Sequence, residues 1–341
     1  MTDLHVGLVG YGMAGRDIHA PLLRAAHGLR LTRVVTRDPG RSARAREDND
    51  GVQVVPSVAD LLAGAADLDL VVVASPSGLH VEHALAAVEA GVPVVVDKPL
   101  ATEPGSARTL VARADERGVP LTVFQNRRWD PAHLTARAVL ATGALGEPVR
   151  YEARYERWRP VPKSRWRENE TSEAGGGLLM DLQSHLVDGA LDLFGPAVSV
   201  YAELASITTV GDDVSFLALH HRSGVRSHLA ATSLAAAPGP RTRVLGRAGA
   251  YLVAGTEGEP TAYAEWDDLD GDHRGWLVRG EDREPVRRPP GGWEDFYPAV
   301  ATSLRHGRPL PVDPADVLRG LDVLEGARRS ARDGVVVDLD G

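Results

Sequence analysis

Leu70-Val71-Val72-Val73 and Val94-Val95-Val96 are unbroken apolar runs a few residues long, each followed by a helix-like stretch. A strand with one wet face alternates polar and apolar residues, whereas an unbroken run suits a strand covered on both faces. Such strands belong to parallel sheets, whose crossovers are helices. The same alternation of short apolar runs and helical patterns extends over the first 125 residues. Strands are expected at 5–9, 31–36, 52–55, 68–74, 92–97 and 121–124, and helices at 13–26, 39–47, 58–63, 78–90 and 102–117. The expected class is α/β, built on a doubly wound parallel sheet.

The pattern changes after Gly146. Residues 151–158 alternate large apolar with charged side chains, as in a sheet with one wet face. A helix is expected at 177–193 and further strands at 198–206, 214–220 and 226–232. Residues 234–240 read as a loop, Asp270-Gly271 as a hairpin turn, and 280–292 as a charged, Pro/Gly-rich loop. Closing helices are expected near 295–305 and 314–329, the last striped by Leu318, Leu321 and Leu324. Two domains follow, 1–125 and 126–341.

Gly10-Tyr11-Gly12-Met13-Ala14-Gly15 is a G-x-G-x-x-G that follows a strand and opens a helix, the context that gives the motif meaning. Gly10 permits a tight turn, Gly12 lets backbone approach a pyrophosphate, and Gly15 allows close helix–strand packing. The N–H groups at the helix start favour phosphate. The first domain is therefore read as an NAD(P)-binding Rossmann domain. The end of the second strand, Val35-Thr36-Arg37-Asp38-Pro39, bears on which dinucleotide binds. If the strand ends at Thr36, Thr36 and Arg37 face the ribose and Asp38 caps the next helix, favouring NADP; if it runs to Asp38, NAD is possible. The reading favours NADP. Ser75-Pro76-Ser77-Gly78-Leu79-His80 follows the fourth strand on the ligand-binding edge, so Ser75, Pro76 and His80 are candidate cofactor contacts, with a loop-bracing role for His80 as the alternative. His19 and His83 lie inside helices and read as packing or surface residues.

Lys98 is one of two lysines among 38 basic residues and sits where the fifth strand ends, before Pro99. A position that keeps lysine in an arginine-rich chain suits a compact ammonium whose pKa moves on burial. In the second half, Gly175-Gly176-Gly177 leads into a helix on which Asp181 and His185 stand four apart, hence on one face. A carboxylate beside an imidazole orients and tunes a general acid/base. Asp and His at this spacing also make half a metal site, but no second ligand cluster accompanies them, so no metal is expected. Residues 150–167 mix Arg, Tyr, Trp and Glu; a phosphate- or sugar-facing loop at Trp166-Arg167 is expected there.

A net charge of −9 argues against a nucleic-acid partner, and the absence of cysteine excludes disulfides and thiolate chemistry. No secretory leader or membrane span is read, so a cytoplasmic protein without a membrane partner is expected.

Together, the glycine motif, Ser75-Pro76-Ser77-Gly78-Leu79-His80, Asp97-Lys98-Pro99, and Gly176-Gly177 leading to Asp181 and His185 resemble the glucose–fructose oxidoreductase/inositol dehydrogenase/MocA family over nearly the whole chain. Asn126-Arg127-Arg128-Trp129-Asp130 and Ser164-Arg165-Trp166-Arg167-Glu168 are most similar to its NADP-dependent scyllo-inositol dehydrogenase branch. The resemblance implies a C-terminal α/β domain with a large, mainly antiparallel, open-faced sheet that forms a homodimer or homotetramer. It implies Lys98, Asp181 and His185 as the catalytic set, Trp166 and Arg167 along the cofactor, and Asn126 and Arg127 near the substrate with that set. The expected enzyme is an NADP-dependent dehydrogenase acting on a secondary alcohol of a cyclitol or sugar. Alternatives are a non-catalytic NADP(H)-responsive binding protein and a reductase of another carbonyl or imine. Two departures stand out. Asp97 replaces the family's commoner Glu, which is expected to alter the positioning of the lysine. Gln183 replaces a common Gly, which is expected to narrow the pocket.

Overall fold

The computed structural model describes residues 2–162, 166–171, 175–255, 261–266 and 268–339. The chain divides into two compact units, Met1–Asn126 with Gly292–Leu318, and Arg127–Gly291 with Arg319–Gly341.

The first unit is built on six parallel strands: β1 (Leu4–Val9), β2 (Leu29–Val35), β3 (Gln53–Val55), β4 (Leu70–Val73), β5 (Val94–Asp97) and β6 (Leu121–Phe124), in the order β3-β2-β1-β4-β5-β6. This is the doubly wound order, with its switch point between β1 and β4. All four residues of β4 are buried, as are Val94, Val95 and Val96 of β5. The crossover helices start on local signals. Asp38 caps Pro39–Asp48 by accepting from Arg41 N at 2.7 Å, and Ser57 caps Val58–Leu62 by accepting from Asp60 N at 3.1 Å.

The sequence reading assigns all of 126–341 to the second domain, whereas Gly292–Leu318 belongs to the first unit. Aromatic packing accounts for the return. Phe296 and Tyr297, on the helix Phe296–His306, close over Phe124 and His19 with ring centroids 4.6–6.1 Å apart. Burying each of the three Phe and Tyr rings stabilises by roughly 1.5–3 kcal/mol. Thr122 Oγ1 donates to Val312 O, and Arg305 donates to Gly28 O, tying down the rest of the segment.

The second unit holds β7 (Pro148–Glu156), β8 (Ala197–Ala205), β9 (Val214–His221), β10 (Arg226–Thr232), β11 (Thr242–Gly246), β12 (Ala250–Val253), β13 (His273–Arg279), β14 (Asp282–Arg287) and β15 (Val337–Asp338). Their order is β14-β13-β12-β11-β7-β10-β9-β8-β15, and every pair is antiparallel except β7 with β10. Burial alternates strictly along β9 and β10. The helices Pro131–Ala141 and Ser184–Phe194 pack on this sheet.

Two expectations fail here. Residues 282–287 form β14 where a loop is expected: the strand is almost wholly exposed and charged, so no hydrophobic period marks it, and backbone pairing with β13 holds it at the edge. The β13–β14 hairpin turns at Gly280-Glu281. Asp270-Gly271 precedes β13, where Asp270 accepts from Asp272 N.

Candidate active site

In the first unit the glycine motif forms a close-fitting turn after β1. Gly10 has φ +100°, and a Cβ there would meet Ala74 O at 2.6 Å. A Cβ on Gly15 would lie 2.1 Å from Gly10 O, which shows how tightly the helix start is seated on the turn. A Cβ on Gly12 would meet nothing nearer than Arg41 Nη1 at 3.9 Å. A cradle closed beneath Gly10 and Gly15 and open above Gly12 fits a dinucleotide pyrophosphate. Tyr11 anchors the turn by donating to Asp48 and accepting from Asn49. Met13 is exposed on the rim, and Ala14 leads into a π-turn, Gly15–His19, before Ala20–Ala25.

β2 ends at Val35, and the Asp38 carboxylate is engaged as the helix cap. Thr36 Oγ1 accepts from Asp38 N, while Arg37 Nε donates to Pro56 O and the side chain stays exposed. Arg41, absent from the sequence reading, is the second guanidinium at this edge. Its position three residues beyond a capping Asp, in the first turn after β2, is the signal that could have found it.

Beyond β4, Ser75 O lies 2.8 Å from His80 Nε2, and Pro99 O lies 2.7 Å from His80 Nδ1. His80 is buried with both ring nitrogens engaged by protein carbonyls, so it braces the Ser75-Pro76 turn against the segment after Lys98. That geometry matches the bracing alternative, and a direct cofactor contact through a ring nitrogen would have to displace one of these carbonyls. His83 Nδ1 lies 3.0 Å from Ser75 Oγ, so this histidine too is tied to the loop.

Lys98 follows β5, its backbone N–H donating to Asp97 Oδ1 at 2.8 Å. Asp97 is itself held from behind. His19, fully buried, places Nε2 3.6 Å from Asp97 Oδ1 and shares a 2.6 Å hydrogen bond between Nδ1 and Tyr297 OH. Burial alone would push Asp97 up, but His19, His80 and Lys98 outweigh it and hold the carboxyl below the usual aspartate range. His19 is thus more than a packing residue. Its role was hidden because Tyr297 lies 278 positions away.

In the second unit Gly176 and Gly177 bring the chain against residues 170 and 212. A Cβ on Gly176 would lie 2.2 Å from Glu170 O, and one on Gly177, at φ +79°, 2.1 Å from Asp212 Oδ1. Asp212 Oδ2 then accepts from Leu179 N, starting the π-turn Leu179–Gln183 that carries Asp181 and runs into Ser184–Phe194 with His185. Asp181 acts electrostatically on Arg127. His185 is buried and lines a cavity of about 40 Å³ with Arg127, Tyr155 and Arg241. Arg127 pairs with Asp130 at 3.0 Å. Asn126 and Arg127 open a short 3₁₀ turn, Asn126–Trp129, in which Asn126 is buried.

Gln183 does not narrow this cavity. Its amide is fully buried and donates to Ser215 O, Ser215 Oγ and Leu229 O, so it points into the sheet. Beneath the site, Arg128 makes a buried bidentate pair with Asp188 at 2.9 and 2.7 Å. Trp166 and Arg167 open the short helix Trp166–Asn169; their side chains, and Ser164 and Arg165, lie outside the described residues. Among the described residues no group of three or more His, Cys, Asp or Glu could hold a metal, and no helix is long and apolar enough to cross a membrane.

Residues 4–125 match the model of an oxidoreductase family with an NAD-binding Rossmann fold, and residues 133–252 match the GFO/IDH/MocA C-terminal domain. The chain is 30% identical to the scyllo-inositol 2-dehydrogenase (NADP+) of Bacillus subtilis, over 100% of this chain and 97% of that protein. It is 28% identical to the D-apiose dehydrogenase of Paraburkholderia graminis, over 97% of this chain and 88% of that one. The solved structure of the Bacillus subtilis protein yvaA, classed as an oxidoreductase, superposes with a TM-score of 0.87 at 30% identity, over 99% of both chains. The chain belongs to the glucose–fructose oxidoreductase/inositol dehydrogenase/MocA family and is an NAD(P)-dependent dehydrogenase.

Proposed function

We propose that this dehydrogenase uses NADP and acts on a secondary alcohol of a cyclitol or sugar. The observation that carries the cofactor choice is the capping role of Asp38. With its carboxylate engaged by Arg41 N, the polar side chains left at the end of β2 are Thr36, Arg37 and Arg41, which suit a 2′-phosphate rather than a free ribose hydroxyl. The full-length similarity to an NADP-dependent scyllo-inositol dehydrogenase supports both the cofactor and the substrate class.

Bound NADP+ would accept a hydride from the carbinol carbon. The chain supplies the proton chemistry. His185 takes the hydroxyl proton as general base. The Lys98 ammonium stabilises negative charge developing on the same oxygen. Asp181 favours the charged imidazole that results. The Gly10–Gly15 cradle, Ser75, Pro76, Trp166 and Arg167 hold the cofactor, and Asn126 and Arg127 hold substrate hydroxyls. The protein works in the cytoplasm as a homodimer or homotetramer joined through the open face of the nine-stranded sheet.

The test is reduction of NADP+ and of NAD+, followed by absorbance, with a panel of inositols and aldoses. Arg37→Ala is expected to weaken NADP+ binding by about tenfold or more, from the loss of a charge-assisted contact, and to leave NAD+ binding within about twofold. Equal losses for both would contradict the NADP reading, and full activity in Lys98→Ala would remove the lysine from the mechanism.

A further inference from the structure

The cavity beside His185 contains more positive charge than a neutral polyol requires. Arg127 is neutralised by Asp130 and by the field of Asp181. Arg241 is not: among the described residues no carboxylate pairs with it, and its guanidinium lies over the Tyr155 ring with Cζ 3.8 Å from the centroid. A guanidinium that stacks on an aromatic face keeps its in-plane N–H edge for a bidentate carboxylate. The Tyr155 hydroxyl is buried without a hydrogen-bond partner, on a residue 4% exposed. A buried hydroxyl left in that state costs stability.

Both groups line the cavity that His185 lines. Its volume of about 40 Å³ has room for a few heavy atoms, the size of a carboxylate. The geometry points to a carboxylate subsite: Arg241 and Tyr155 bind an acidic substituent of the substrate, so the preferred substrates are sugar acids or carboxylated polyols rather than neutral ones. Arg241 supplies the bidentate N–H edge and Tyr155 donates its hydroxyl to a carboxylate oxygen. This rests on the dehydrogenase reading above only in taking His185 to face the carbinol. The acid group then sits within a few bonds of the carbon that is oxidised.

The experiment measures equilibrium binding by calorimetry to the full chain saturated with NADP+, using D-glucose against D-glucuronate and D-galactose against D-galacturonate. Each acid is expected to bind at least about tenfold tighter than its neutral partner, the scale of a hydrogen bond to a charged group. Arg241→Gln removes that preference. Arg241→Lys restores part of it, because charge returns without the fork. Tyr155→Phe, which keeps the ring and the stacking, weakens acid binding by about threefold or more. Acids that bind no tighter than their neutral partners, no measurable binding of either acid, or an Arg241→Gln protein with its acid preference intact would each overturn the subsite. Turnover is read separately. Cofactor reduction by neutral polyols without acid preference sinks this inference and leaves the polyol dehydrogenase standing. Acid binding without cofactor reduction by any substrate does the reverse.

Discussion

In the first unit β4 buries all four of its residues, Leu70–Val73, whereas in the second β9 buries alternate ones, Ser215, Leu217, Leu219 and His221. A strand covered on both faces takes a polar side chain within its length only where a buried partner meets it, as Val312 O meets Thr122 on β6. The first unit accordingly keeps its candidate site residues at the carboxyl edge of the sheet: the Gly10–Gly15 turn, Ser75-Pro76, and Asp97-Lys98. A strand with alternating burial can carry a polar group in mid-strand. The second unit carries Tyr155 on β7 itself, one residue before the strand ends, and it assembles its cavity from Arg127, Tyr155, His185 and Arg241, which are scattered along the chain. Loop sites are compact in sequence, while sites on sheet and helix faces are compact only in space.

That contrast can be broken most sharply at Gly15. A side chain there would start 2.1 Å from Gly10 O, so Gly15→Val is expected to cost about 3 kcal/mol or more and to abolish NADP binding. Urea unfolding and a fluorescence titration with NADPH measure the two losses. If the loss of stability is small, the turn is less rigid than the contrast requires.

The matching change in the second unit is Arg128→Met, which leaves the buried Asp188 carboxylate without its bidentate partner. The expected cost is about 3–5 kcal/mol, and Arg128→Met combined with Asp188→Leu should recover much of it. A double mutant no better than the single would mean that packing, not charge, dominates there.

Tyr297→Phe probes the support behind Asp97 with a smaller expected effect. It removes the 2.6 Å hydrogen bond to His19 and keeps the ring, so about 1 kcal/mol of stability should be lost. An unchanged urea midpoint would show that the aromatic packing alone holds the returning segment.

The mildest probe is pH. Burial holds the pKa of His221, in the second unit, below the ordinary 6.5. Below that value the unfolded chain binds a proton that the folded chain refuses, so stability falls as pH drops from about 6.5 toward the folded-state pKa. Asp97, in the first unit, is also lowered, but from 3.8, so its contribution is lost only below about that pH. Denaturant midpoints at pH 7.5 and 5.5 should therefore differ, and His221→Gln should shrink the difference. A midpoint indifferent to pH in this range would remove His221 as its source.

The first sheet was legible because its strands are unbroken apolar runs and its loops carry glycine, proline and a lone lysine in a short motif. β6 was placed to the residue, and β1 and β5 within one or two. In the second unit β9 and β10 were legible from alternation. The sequence carries no strand expectation for β11, β12, β13 or β14 and no helix expectation for Pro131–Ala141. β14 is exposed along nearly its whole length, and β12 has four residues, too few to establish a period. Lys98, Asp181 and His185 could be named from spacing and resemblance. His19, Tyr155 and Arg241 could not, since each matters through a neighbour remote in sequence.

What the chain's order of residues determined by itself is the class of each half, the glycine turn and the position of the lysine, because period, φ preference and end-of-strand placement are local properties. Tertiary structure alone decided that Gly292–Leu318 returns to the first unit, that Gln183 points into the sheet, and that Arg241 lies on Tyr155 with no carboxylate partner among the described residues. The physical reason is that burial and charge pairing depend on which surfaces meet in space. Residues 86 apart, such as Tyr155 and Arg241, carry no mark in the sequence that they will meet.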